Sequence, residues 1–211
     1  MRLEAYLITE SVKERVNFNS FEEMYTAVHN DCKPYFREFG NNTHFWRGIT
    51  FTYKDTPDKL NIHKITPRTD RRSMNMPPDI QEYVNDVFKK KFGWRPRTEG
   101  VFTDIDVREA MEYGNSHMFY PIGEYKYIYN PDVRDLYIYT PLNVVSSYIH
   151  GYSFSDSFQK RLNEWLKWLD DYKDKGLKQN VQHGKGFEVV WKCKQYYLVD
   201  SDLDKQMEKG I

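Results

Sequence analysis

An arginine inside a run of large apolar residues limits the folds open to this chain. The run is Thr43-His44-Phe45-Trp46-Arg47-Gly48-Ile49, and its aromatic content predicts a strand. A guanidinium among such side chains costs free energy unless a phosphate, a carboxylate or a backbone corner accepts its hydrogen bonds. We therefore expect a sheet that holds Arg47 beside an acceptor, either as part of a binding site or as a structural link to an acidic residue.

The composition favours a folded domain and gives no global field that attracts nucleic acid or anionic membrane. The 211 residues are 39% hydrophobic and 17% aromatic, which is enough to close a core, and the formal net charge is 0. Only two cysteines occur, and we expect Cys32 and Cys193 to be reduced core thiols. The chain begins without an apolar leader and has no stretch of transmembrane length, which predicts a cytoplasmic protein with no membrane partner.

Helical and strand patterns follow one another without a regular βαβ order. This predicts an α+β fold in a single domain, 1–211, with an N-terminal helical segment 1–40, a core 43–199 and a flexible tail 201–211. A polar region, 55–78, is predicted to be an irregular loop. The expected helices are 20–40 with a break near Lys33, 80–92, 106–113, 141–150 and 155–175. The expected strands are 43–53, 100–104, a pair 117–121 and 125–129 joined by a turn at Gly123, 187–193 and 196–199.

The common catalytic motifs are missing from the sequence. It contains no phosphate-binding loop, GxGxxG, HExxH or GxSxG pattern. Its six histidines show no pairing at the spacing of metal ligands, so we expect no metal.

Three strand motifs together resemble those of the mono-ADP-ribosyltransferases of the arginine-serine-glutamate class. Phe45-Trp46-Arg47-Gly48 is similar to the arginine strand, Val101-Phe102-Thr103-Asp104 to the Ser/Thr strand, and Phe187-Glu188-Val189-Val190-Trp191 to the glutamate strand. The order and spacing agree over residues 43–199. The run 101–136 also resembles uncharacterised proteins of tailed bacteriophages, which implies a phage-encoded protein in the host cytoplasm.

The resemblance implies a split, mixed β-sheet flanked by helices, and transfer of ADP-ribose from NAD to a protein or nucleic-acid acceptor of the host. Glu188 would be catalytic and stabilise an oxocarbenium-like state, while Thr103 would brace it by a hydrogen bond. The NAD-binding residues implied for this chain are Arg47, Gly48, Thr103, Arg71 and Arg72, with Tyr113, Tyr125 or Tyr127 stacked on the nicotinamide.

Two departures from the family pattern affect the expected chemistry. Family members that modify arginine have Glu or Gln two residues before the catalytic glutamate, whereas this chain has Gly186. The serine of the second motif is also missing, since Phe102-Thr103-Asp104 supplies only a threonine. We therefore expect an acceptor other than arginine.

Other interpretations of the same residues remain open. Thr103 is also an ordinary strand residue, Glu188 could be a charge that protects a sheet edge, and the Tyr125-Tyr127-Tyr129 row suits half-buried sheet packing. One alternative function is a non-catalytic phage protein that binds and blocks a host factor. Another is a single-stranded nucleic-acid-binding protein that uses its tyrosines with a set of arginines, namely Arg68, Arg71, Arg72, Arg95 and Arg97.

Overall fold

The chain folds into an α+β structure in which helices cover an antiparallel sheet. A computed structural model describes residues 12–49, 60–71, 76–153, 155–181 and 186–200. The strands are β1 (Val12–Phe18), β2 (Trp46–Ile49), β3 (Leu60–Ile65), β4 (Val101–Asp104), β5 (Asn115–Tyr129) and β6 (Glu188–Asp200). The helices are α1 (Phe21–Asp31), α2 (Lys33–Phe39), α3 (Pro78–Phe92), α4 (Pro96–Glu99), α5 (Val107–Met111), α6 (Leu136–Tyr139), α7 (Leu142–Ile149), α8 (Asp156–Asp170) and α9 (Leu177–Val181).

The N-terminal helical segment is interrupted where the sequence predicts a break. The Ser20 hydroxyl accepts a hydrogen bond from the Glu23 backbone N–H at 3.1 Å, which starts α1. The helix stops at Cys32, and α2 begins with Pro34 in its first turn, where a missing N–H costs little. Gly40 ends α2.

All strand pairings in the described residues are antiparallel, so the mixed sheet implied by the resemblance is not found there. The strand order is β1-β3-β6-β4-β2-β5, and β5 also pairs with β6. Along one edge, β6 pairs first with β4 and then, from Tyr196, with β3. Its other edge pairs with β5 throughout. The sheet therefore divides where β6 changes partners between Trp191 and Tyr196.

Two pairs of predicted strands are single long strands in the structure. The hairpin at Gly123 is wrong: Gly123 has a φ of 68° and lies at a register shift within β5, between Ile122 and Tyr125. The two predicted C-terminal strands are likewise one strand, β6. Because β5 and β6 pair with each other along their length, an irregularity bends the ribbon without ending it.

The predicted irregular loop 55–78 is wrong at β3, whose backbone is paired on both sides by β1 and β6. Ile62 and Ile65 of this strand are fully buried, and a short strand in a polar region is stabilised by its neighbours more than by its own sequence pattern. The predicted N-terminal helical segment 1–40 is wrong over Val12–Phe18, which form strand β1. The tail 201–211 lies outside the described residues.

The sheet separates two hydrophobic cores. The first core lies between the sheet and α1–α2. It includes Val28, Tyr35, Val189 and Trp191. The second core lies between the opposite face and α3, α7 and α8, and includes Val190 and Trp165. Alternate residues at the start of β6, from Val189 to Trp191, thus face different cores.

Both cysteines are free thiols, as predicted, with Cys32 buried and Cys193 half-buried. Within the described ranges, no helix has the length and apolar character needed to span a membrane.

Candidate functional site

Glu188 stands at the start of β6, directly opposite Asp104, the last residue of β4. Opposed residues in an antiparallel pair lie on the same face, so both carboxyl groups lie on the side of the second core. The Glu188 side chain is 17% exposed, and its Oε1 lies 3.3 Å from Nη1 of Arg97, whose side chain is 10% exposed. The result is a largely buried acid beside one buried cation.

The surroundings of Glu188 favour its neutral form. Burial raises its pKa to about 8, and the negative charges of Asp135 and Asp104 add to the rise, while Arg97 opposes it. Burial likewise raises the pKa of Asp104 to about 6. Neighbouring carboxyl groups with separated, raised pKa values are a common property of acid–base sites.

Buried polar contacts between α3 and α4 position Arg97. The side chain of Asn85 is fully buried, and its Oδ1 accepts the Arg97 backbone N–H at 2.9 Å. Its Nδ2 donates to Thr98 Oγ1 at 2.7 Å. The Thr98 carbonyl in turn accepts the backbone N–H of Arg71 at 3.3 Å. This network fixes the start of α4, and with it the arginine that faces Glu188.

Three arginines meet at Phe102 of β4. Arg97 and Arg71 stack over the phenyl ring, with their guanidinium carbons 4.7 Å and 5.9 Å from its centroid. Arg47, which is 3% exposed, donates from Nη1 to the Phe102 carbonyl at 2.5 Å. The Tyr196 hydroxyl accepts a further hydrogen bond from Arg47. We call Arg47, Arg71 and Arg97 the Phe102 arginine cluster.

Arg47 therefore lies on a strand and is buried, as the sequence predicts, and a backbone carbonyl is its acceptor. Within the described part of β2, its pairing with β4 is at Trp46–Asp104, and the Arg47 side chain adds a hydrogen bond to the Phe102 carbonyl of β4. Burial and the nearby charge of Arg97 lower the pKa of Arg71. Arg72 lies outside the described residues.

Thr103 does not brace Glu188. Its hydroxyl donates to the Val189 carbonyl at 3.3 Å and accepts from Trp191 Nε1 at 2.7 Å. Thr103 is opposite Val189 in the β4–β6 register, so it faces the first core while Glu188 faces the second. The predicted hydrogen bond is wrong because neighbouring strand residues point to opposite faces.

Tyr125 and Tyr127 also lie away from Glu188. Each phenol donates to Glu38 of α2 at 2.7 Å, and both rings pack in the first core against Trp191. The half-buried sheet packing considered above is therefore their role in this structure. Stacking on a ligand beside Glu188 is wrong for both residues.

Tyr113 remains near the candidate site. It is 50% exposed, and its hydroxyl lies 3.5 Å from Asp135 Oδ2. Burial and the charges of Asp135 and Glu188 raise its pKa. Gly48 contacts the same region through its backbone, since a Cβ there would lie 1.8 Å from the Ala110 carbonyl oxygen of α5. The role of Gly48 in this structure is therefore to let β2 and α5 pack closely together.

Most of the described arginines of the nucleic-acid hypothesis are compensated by acidic side chains. Three of them form ion pairs: Arg68 with Asp70, Arg95 with Glu82 and Arg97 with Glu188. Such pairing reduces the positive potential that single-stranded nucleic acid requires.

The sequence did not identify Asp104, Arg97, Asn85 or Asp135 as parts of the Glu188 environment. Asp104 could have been found from strand alternation, because the register that makes Thr103 face one core makes Asp104 face the other. The contribution of Asn85 depends on how α3 packs against α4, which no local pattern encodes.

The candidate site combines two partly buried carboxyl groups, those of Glu188 and Asp104, with the guanidinium groups of the Phe102 arginine cluster. Among the described residues, no group of three or more His, Cys, Asp or Glu side chains could hold a metal ion. The arrangement suits acid–base or electrostatic catalysis on a substrate that carries negative charge. Comparison with family models, with curated proteins and with solved structures gives no match for this chain.

Proposed function

We propose that this protein cleaves the nicotinamide–ribose bond of NAD and transfers ADP-ribose to a macromolecular acceptor, with Glu188 as the catalytic carboxylate. The observation that carries this proposal is the position of Glu188 beside the Phe102 arginine cluster. The strand order supports it as well. Strands β6, β4 and β2, which carry the glutamate, threonine and arginine motifs, are consecutive neighbours in a sheet that divides along β6.

The Phe102 arginine cluster suits a diphosphate. Guanidinium groups bind phosphate oxygens through paired, charge-assisted hydrogen bonds. Arg71 and Arg97 stack on the same ring, and Arg97 contributes to the lowered pKa of Arg71. A bound anion would relieve this repulsion. Arg71 and Arg97 are both half-buried, whereas Arg47 is buried and supports the cluster from inside.

Glu188 would act in its ionised form. Nicotinamide leaves as a neutral molecule, so its departure requires no proton donor, whereas positive charge develops on the ribose. A carboxylate beside the ribose stabilises that charge and orients the 2′-hydroxyl. Tyr113, exposed and adjacent, would stack on the nicotinamide ring.

Binding of ADP-ribose, which has the diphosphate but not the reactive bond, tests the anion site. We expect ADP-ribose to raise the melting temperature of the wild-type protein, and Arg71→Ala to weaken binding about 10- to 100-fold, the loss of one charge-assisted contact. Arg161→Ala removes an exposed arginine on α8 and should bind like wild type. Equal binding by Arg71→Ala and wild type would contradict the assignment of the arginine cluster.

The pH dependence of kcat/KM follows from the raised pKa of Glu188. Since the carboxylate form of Glu188 is the active one and burial raises its pKa to about 8, kcat/KM should rise with pH and level off above about 8. The measurement is nicotinamide release between pH 5.5 and 9.5 at low NAD concentration. A rate that falls across this range would show that the protonated acid is the active form.

A further inference from the structure

Asp104 is the second carboxyl group on the face of Glu188, and the proposed cleavage step leaves it unused. Its Oδ1 accepts the backbone N–H of Asp106 at 2.7 Å, which fixes its orientation at the end of β4. No side chain in the described residues forms a hydrogen bond or ion pair with it. Asp104 is half-buried and directly opposite Glu188, so a group at the reacting carbon beside Glu188 would be within its reach.

The glycine before β6 packs close to this carboxylate. Gly186 lies two residues before Glu188, and a Cβ added there would be 3.6 Å from Asp104 Oδ1 and 3.3 Å from the Asp106 Cβ. The backbone of Gly186 therefore passes beside Asp104 with no side chain between them. Arg134, a cation whose charge acts on Asp104, is paired with Glu109. Among the described residues, the Asp104 carboxylate thus has no cationic side chain paired with it.

We propose that Asp104 is the general base that takes the proton of the acceptor, a group with an O–H or N–H bond. This inference rests on the proposed function. The nicotinamide–ribose bond breaks with its electron pair going to the ring nitrogen, and the acceptor's lone pair forms the new bond to the ribose C1′. The acceptor proton passes to the Asp104 carboxylate, which later returns it to solvent.

The separated pKa values of the two acids agree with this division of roles. Burial raises the pKa of Asp104 to about 6 and that of Glu188 to about 8, so Asp104 is the more readily ionised of the two at neutral pH. Other charges that face Asp104 are Asp106, which raises its pKa, and Arg134, which lowers it. With both carboxylates required, the logarithm of kcat/KM should have a slope of two below about pH 6 and of one between about 6 and 8.

Azide distinguishes a base from a structural residue because it attacks as an anion and brings no proton. We expect Asp104→Asn to slow nicotinamide release with water or a protic acceptor by about 100-fold. Addition of sodium azide should restore the rate and yield ADP-ribosyl azide. The same variant should lose the lower inflection of the pH profile. Glu188→Gln should not respond to azide, and Glu112→Gln, an exposed acid after α5, should behave like wild type.

The outcomes separate the two proposals. Wild-type turnover with an unaffected Asp104→Asn rate would overturn the role of Asp104 and leave that of Glu188. A slow Asp104→Asn variant that azide does not restore would assign Asp104 a structural role and also overturn it. A wild-type protein that releases no nicotinamide overturns the proposed function itself, and the base with it.

Discussion

Glu188→Gln should reduce nicotinamide release from NAD by about 1000-fold, since loss of one preorganised electrostatic contact to the transition state has effects of this size. Glutamine keeps the shape of the side chain and can still accept a hydrogen bond from Arg97, so the fold should be unchanged. ADP-ribose binding through the Phe102 arginine cluster should be retained. The measurement is single-turnover nicotinamide release at pH 8.5, where wild-type Glu188 is largely ionised.

The same substitution should stabilise the protein at alkaline pH. The folded-state pKa of Glu188 is about 8, above the ordinary value of 4.5, so the folded state binds more protons than the unfolded state between these values. The free energy of unfolding contributed by this group is therefore highest below about pH 4.5 and lost as pH rises to 8. Glutamine does not titrate and avoids that loss.

Chemical denaturation at two pH values measures this effect. At pH 5 we expect wild type and Glu188→Gln to differ little, and at pH 9 we expect the variant to be more stable by a few kcal/mol. The exposed control Glu112→Gln should change stability at neither pH. A variant less stable than wild type at pH 9 would mean that the ionised Glu188–Arg97 pair is net stabilising and that burial does not raise the glutamate pKa.

Gly48→Ala should destabilise the fold by about 3 kcal/mol or more. Its new Cβ would lie 1.8 Å from the carbonyl oxygen of Ala110 and 3.0 Å from the Cβ of Tyr113. One of these atoms is a backbone oxygen and the other is a Cβ, and neither moves when a side chain changes rotamer. The overlap is therefore relieved only if β2 and α5 separate. Because α5 follows directly on Asp104, ADP-ribose transfer should fall as well.

A second glycine isolates the cause of this loss. Gly151 has a φ of 73° and no atom within 4 Å of an added Cβ, so Gly151→Ala costs only backbone strain, about 1 kcal/mol. Urea denaturation should therefore place Gly48→Ala well below Gly151→Ala in stability. Similar midpoints for the two variants would show that β2 and α5 do not approach closely.

The sequence predicted the buried arginine well because that prediction depends on local chemistry. A charged residue inside an aromatic strand has few positions open to it, and Arg47 is indeed buried with a backbone acceptor. The helix break at Pro34 and the stop at Gly93, with its φ of 80°, are local in the same sense. Both features follow from the backbone conformations that a single proline or glycine allows.

The candidate site was harder to predict because it depends on pairing. Thr103 and Asp104 are adjacent in sequence, yet the β4–β6 register puts only Asp104 on the side of Glu188. The alternating tyrosines of β5 have the pattern of an exposed sheet face, but α2 covers them. Glu38 of α2 accepts hydrogen bonds from the hydroxyls of Tyr125 and Tyr127. Long-range pairing and helix docking determine these outcomes, and neither has a local sequence signal.

The most direct test of the central claim is single-turnover release of labelled nicotinamide by the unmodified protein. Excess protein is mixed with nicotinamide-labelled NAD and a cell extract at pH 8.5, and release is compared with protein-free extract and with Glu188→Gln. We expect release by wild type, with an equal amount of ADP-ribose found free or on an acceptor, and none above background for the variant. Equal release by both proteins, or no release together with no NAD-dependent rise in melting temperature, would contradict it.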